Sequence, residues 1–118
     1  MVGLVLVSHS RMLAQGLVEL IRQAASPDLK ISIAAGTGKE HQEPGTDATQ
    51  ILEAIQTVFS PDGVLVLMDL GSAILSAELA LELLPDGQRS KVTLCPAPFV
   101  EGALSAAVQA GLGSNLVT

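Results

Sequence analysis

The chain has 118 residues, which suits one domain able to bury a core without disulfide staples. Twelve acidic residues against six basic ones leave a formal net charge of −6, which excludes the basic face that nucleic acid requires and fits a basic protein partner or a cationic ligand better. Nearly half the residues are apolar, yet Trp and Tyr are absent and Phe occurs twice, so the core has to be built from Leu, Ile, Val and Ala.

Val2 to Val7 is an unbroken Val-rich run, the pattern of a strand buried on both faces. It has no basic leader and no small-residue cleavage site, so it does not read as a secretory signal. Ser10 can cap a helix over Arg11 to Ala25, with Leu13, Leu17, Leu20, Ile21 and Ala24 recurring on one face. Ser26-Pro27-Asp28 ends it. Lys30 to Ala35 reads as a second strand, and Gly36 to Gly45, rich in Gly and charge, as a loop. Thr46 or Asp47 can cap the next helix, whose apolar face is Ile51, Leu52, Ile55 and Phe59. A Ser60-Pro61-Asp62-Gly63 turn leads to a third buried strand, Val64 to Met68.

That strand runs into Asp69-Leu70-Gly71-Ser72 and a helix carrying Ile74, Leu75, Ala77, Leu79 and Leu83, closed by Pro85-Asp86-Gly87. Lys91 to Cys95 is a fourth strand, broken by Pro96-Ala97-Pro98; Val100 to Ala110 is a last helix. Ser114 to Thr118 is left as a short edge strand or a frayed end. The βαβαβαβα order predicts an α/β fold, a doubly wound three-layer sandwich around a four-stranded parallel sheet of order 2-1-3-4, as a single unit over residues 1–118. No apolar run reaches the length of a membrane span, and a cytoplasmic location is expected. The lone Cys95 excludes an intrachain disulfide and reads as a small buried apolar residue.

In that strand order the ligand crevice lies between the carboxyl ends of strands 1 and 3, which are Ser8-His9-Ser10 and Asp69-Leu70-Gly71-Ser72. A neutral imidazole is a nucleophile near neutral pH, and a carboxylate across the crevice can fix its tautomer and balance the charge it acquires. Asp69 can equally be no more than a helix cap. The first amides of the helices at Ser10 and Ser72 are expected to face the same space, where Gly71 and Ser72 allow close approach of an anion. Arg11 reads as exposed and within reach of a phosphoryl oxygen or a partner. His41, in the charged loop, reads as solvated; no second ligand stands at a metal-binding spacing, so neither metal nor cofactor is expected.

Other chemistries fail on specifics. Gly36-Thr37-Gly38-Lys39 lacks the earlier Gly and the following Ser or Thr of a phosphate loop, and the third Gly of a dinucleotide fingerprint. No Gly-x-Ser-x-Gly elbow is present. A receiver domain would place carboxylates after strand 1, where this chain has Ser8-His9-Ser10.

Five segments carry a resemblance: Gly3 to Ser10, Ala34 to Thr37, Gly45 to Ala48, Met68 to Glu78 and Cys95 to Gly102. In order along nearly the whole chain, they resemble the mannose-family EIIA domains of the bacterial phosphotransferase system. The match is closer still to the phosphotransferase subunits of phosphoenolpyruvate-dependent dihydroxyacetone kinases. The resemblance implies a phosphotransferase in which His9 takes a phosphoryl group from phospho-HPr and Asp69 is its hydrogen-bonding partner. The group would then pass to ADP on DhaL, for phosphorylation of dihydroxyacetone on DhaK. Ser10, Arg11, Gly36, Thr37, Gly71 and Ser72 are the accompanying candidates for phosphate or partner contact. The resemblance also implies a homodimer, as does the apolar content of so small a chain. The chain stops after the EIIA-like unit, so separate HPr and enzyme I proteins are expected to supply it. Two other readings remain open, an EIIA domain serving a sugar-specific EIIB and a non-catalytic anion-binding module.

Overall fold

The apolar run at the start of the chain is buried without a break from Val2 to Ser8, and it forms the centre of the sheet. In the computed structural model, which describes residues 1–37, 46–95 and 98–112, four strands lie in the order β2-β1-β3-β4. They are β1 (Gly3–Ser8), β2 (Ile31–Ala35), β3 (Val64–Met68) and β4 (Val92–Cys95), and every pairing is parallel. The intervening helices are α1 (Arg11–Ala24), α2 (Ala48–Val58), α3 (Ser72–Glu82), the short α4 (Asp86–Arg89) and α5 (Phe99–Gly111). This is the doubly wound α/β fold and strand order that the sequence predicts.

Alternation along β1 divides the core in two. Val5 and Val7 pack with Ile51, Ile55 and Val58 of α2 and Ala73, Ala77 and Ala80 of α3. Leu4 and Leu6 point the other way, towards Leu17 and Ile21 of α1 and Phe99, Ala103 and Ala107 of α5. A parallel strand between two helical layers has to be apolar on both faces, which is why no polar residue interrupts it before Ser8.

Several local expectations are settled or corrected. Ser10 caps α1, its Oγ accepting the Leu13 N–H at 3.2 Å. Between Thr46 and Asp47, Asp47 is the cap of α2, accepting the Thr49 N–H at 3.0 Å. Leu13 and Leu20 lie on the solvent side of α1, which buries Ala14, Leu17 and Ile21 instead. The larger correction concerns α3. Leu75, Leu79 and Leu83 are exposed, and the helix meets the sheet through Ala73, Ala77 and Ala80. Small side chains let α3 sit close to α2, so Leu75 and Leu79 of the same helix, and Leu83 just past its end, turn outwards. The segment Pro85-Asp86-Gly87 opens α4 rather than a plain turn. Arg89 there folds back on α3, donating to the Leu81 and Glu82 carbonyls at 2.9 and 3.1 Å, a cation on the negative end of that helix. Cys95 is half-buried, not fully so. His41, Gly38, Lys39 and the 114–118 segment lie outside the described residues.

One close approach fixes α2 against the sheet. A Cβ on Gly3 would meet the Val58 carbonyl oxygen at 2.4 Å and the Val58 side chain at 2.9 Å. Gly3→Ala forces backbone apart rather than a flexible side-chain tip. It is expected to lower stability by about 2–3 kcal/mol, read as a lower urea midpoint with unchanged slope.

Candidate functional site

The site grows out of strand register. Val7 pairs with Met68, and the Asp69 N–H continues the ladder to the Val7 carbonyl at 3.1 Å. That alignment sets Asp69 beside Ser8 and His9 at the carboxyl ends of the two central strands. A shift of one residue would send its side chain to the opposite face.

The carboxylate of Asp69 is held on both oxygens. Oδ2 accepts the Ser8 hydroxyl at 2.9 Å and the His9 backbone N–H at 2.9 Å, and Oδ1 lies 3.0 Å from His9 Nδ1. The Asp69 side chain is 10% exposed and that of His9 26%, so the pair is shielded while the imidazole still reaches the surface. Burial pushes the Asp69 carboxyl up, but the backbone N–H of His9, the His9 ring and the Ser8 hydroxyl outweigh it and hold the group below the ordinary aspartate value of 3.8. Asp69 is therefore an ionised acceptor at neutral pH. A carboxylate facing Nδ1 requires a proton there, and in the neutral ring that leaves the lone pair on Nε2.

The other candidates distribute around this pair. Ser10 follows it as the exposed cap of α1, and its N–H donates to Ser8 Oγ at 3.0 Å. Gly36, with φ of 74° in the left-handed region, turns the chain out of β2 and donates its N–H to the Ser8 carbonyl at 3.3 Å. Thr37 follows, half-buried. Arg11 is half-buried rather than exposed, its Nη1 donating to the Ala35 carbonyl at 3.3 Å. On the other flank, Gly71 lines a cleft of about 310 Å³ with Met68, Asp69, Ile74, Cys95 and Phe99. Ser72 is the first residue of α3. The expectation that the first turn of α3 offers its amides to an anion needs correction at two positions. The Ala73 and Ile74 N–H groups are already taken by the Leu70 and Gly71 carbonyls, each at 3.0 Å.

Two residues escaped the sequence reading. Ser8 is fully buried, and it joins Asp69 to the start of α1. Gln50 of α2 clamps the end of β2, its Oε1 accepting the Ala35 N–H at 3.0 Å and its Nε2 donating to the Gly36 carbonyl at 3.1 Å. A polar residue closing an otherwise apolar strand was the available signal for Ser8. Nothing in the spacing marked Gln50. Among the described residues, no cluster of three or more His, Cys, Asp or Glu side chains could hold a metal ion, and no helix is long and apolar enough to cross a membrane.

Comparison with known proteins places this site in context. The family model described as "PTS system fructose IIA component", EIIA-man, matches residues 3–117. The phosphoryl donor subunit DhaM of the PEP-dependent dihydroxyacetone kinase of Escherichia coli K12 is 52% identical over 117 residues. That match covers 98% of this chain and 25% of the relative, so the chain spans about a quarter of that protein's length. The phosphoryl donor subunit DhaM of PEP-dependent dihydroxyacetone kinase 2 of Listeria innocua is 43% identical, with 92% of this chain and 86% of the relative covered. A crystal structure titled as an unknown function protein, EF1359, superposes with a TM-score of 0.81 at 37% identity, over 99% of this chain and 89% of that one.

Proposed function

The chain belongs to the EIIA-man family, and from that membership we propose that it is the phosphoryl donor subunit of a PEP-dependent dihydroxyacetone kinase, working as a phosphohistidine carrier. The observation that carries the reading is the 3.0 Å contact between His9 Nδ1 and Asp69 Oδ1 at the sheet's central strand ends. The relatives named as phosphoryl donor subunits supply the reaction class.

His9 Nε2 attacks the phosphorus of phospho-HPr. A bond forms between Nε2 and phosphorus as the bond from phosphorus to the donor breaks, and the donor keeps the electron pair. The ring then carries positive charge, which the ionised Asp69 opposes through Nδ1–H. The acceptor, ADP on DhaL, next attacks the same phosphorus, the Nε2 lone pair is regained, and the ATP formed serves dihydroxyacetone on DhaK. Both steps depend on positioning and charge balance. Ser10, Arg11, Gly36, Thr37, Gly71 and Ser72 are the proposed surroundings of the phosphoryl group or of its partners, in the cytoplasm.

The test is an intact-mass measurement after incubation with phosphoenolpyruvate, enzyme I and HPr. The expected result is a gain of one acid-labile phosphate, discharged by DhaL with ADP. Absence of any covalent phosphate would sink the carrier and favour an anion-binding module. The family model's own description, a sugar-system component, supports one alternative acceptor. Discharge by an EIIB domain but not by DhaL–ADP would select it.

The working unit is proposed to be a homodimer. Leu75 and Leu79 of α3 and Leu83 just past its end follow one another at i, i+4 and are 74%, 52% and 55% exposed. Monomers seldom leave such a stripe in water, and pairing across a two-fold axis buries it against itself. Light scattering at micromolar concentration is expected to give twice the 12.1 kDa chain mass, and Leu79→Asp is expected to halve it. A monomeric unsubstituted chain would count against the dimer.

A further inference from the structure

The hydroxyl of Ser8 has both of its roles committed. It accepts the Ser10 N–H at 3.0 Å, so its one proton is directed to Asp69 Oδ2 at 2.9 Å. Ser8 is fully buried, at the end of a strand whose preceding residues from Leu4 to Val7 are all apolar. Burying a hydroxyl where Ala or Val would pack is unfavourable unless every bond it makes is satisfied, and here they are.

We infer that Ser8 is a positioning residue for the His9 imidazole, acting through Asp69 and through the first residue before α1. The terminal torsion of an aspartate is soft and two-fold. With Oδ2 receiving both the Ser8 hydroxyl and the His9 N–H, the carboxylate plane is fixed and Oδ1 is left facing Nδ1. At the same time the hydroxyl bridges from Asp69 to Ser10, so the chain is held immediately before and after His9. Ser8 touches no reacting atom. Its effect is on how long the ring spends with Nδ1–H aimed at Oδ1 and Nε2 ready to react.

The inference rests on the phosphocarrier reading for its kinetic consequence but not for its structural one. Ser8→Ala and Ser8→Cys, the second similar in size and a weaker donor, are compared with the unsubstituted chain in single-turnover phosphorylation by phospho-HPr. The maximal rate is expected to fall about tenfold in Ser8→Ala and less in Ser8→Cys. The half-saturating donor concentration and the final one phosphate per chain should not change. Independently, ¹⁵N spectra of the unphosphorylated His9 ring are expected to show the Nδ1-protonated tautomer in the unsubstituted chain and a mixture in Ser8→Ala. Unchanged rate and unchanged tautomer in whichever variant folds would overturn the role of Ser8 while leaving the carrier intact. An unsubstituted chain that is never phosphorylated, with the tautomer preference still lost in Ser8→Ala, would support Ser8 and sink the carrier.

Discussion

His9→Ala is expected to abolish phosphate acceptance while leaving the fold in place. The reason for the clean separation is geometric. The backbone N–H at position 9 that donates to Asp69 Oδ2 survives the substitution, as does the Ser8 hydroxyl on the same oxygen. Of these three contacts on Asp69, the ring contact at Oδ1 is the one removed. The imidazole is partly solvent-exposed, so its removal leaves no sealed cavity, and the change in unfolding free energy is expected to stay within about 1 kcal/mol. Intact-mass analysis with phosphoenolpyruvate, enzyme I and HPr should show no added phosphate, alongside a near-unchanged thermal transition. Labelling of the His9→Ala chain would place the acceptor elsewhere and remove the basis of the proposed mechanism.

Asp69→Ala should act on two quantities at once. Its transfer rate is expected to drop about a hundredfold or more, with residual labelling, because the ring loses both its tautomer lock and the charge opposite it. Stability should fall too. The Ser8 hydroxyl and the His9 N–H lose their acceptor in a part-buried setting, a cost of about 2–3 kcal/mol at neutral pH. The acid dependence identifies the carboxylate as the cause. Asp69 is held below its unfolded value of 3.8, so the unfolded chain takes up the proton first as pH falls. The stabilisation from ionised Asp69 is complete above about 3.8 and lost as pH drops through the lower folded value. The difference in urea midpoint between the unsubstituted chain and Asp69→Ala should therefore shrink on acidification below that point. A difference independent of pH would mean that packing, not charge, is what Asp69 provides.

The leucines of α3 show where reading periodicity stops. Every third or fourth residue of that segment is apolar on more than one side, so spacing alone offers several faces. Packing through Ala73, Ala77 and Ala80 was chosen by how closely α3 can approach α2, and that distance belongs to the assembled layer. The same limit applies to Gln50. Its amide meets the end of β2 only because α2 crosses there, fifteen residues further along the chain from Ala35.

The amino-acid sequence was sufficient for the parallel α/β order, for the strand arrangement 2-1-3-4, and for the meeting of His9 and Asp69 at the two central strand ends. Buried parallel strands announce themselves by unbroken apolar runs, and a doubly wound sheet has one crevice where such ends can meet. Tertiary structure alone decided that one oxygen of Asp69 faces the ring while the Ser8 hydroxyl braces the other, and which leucines remain in water. Those outcomes depend on ångström-scale register and on the depth of helix packing, quantities that arise only when strands and helices separated by some sixty residues are brought into contact.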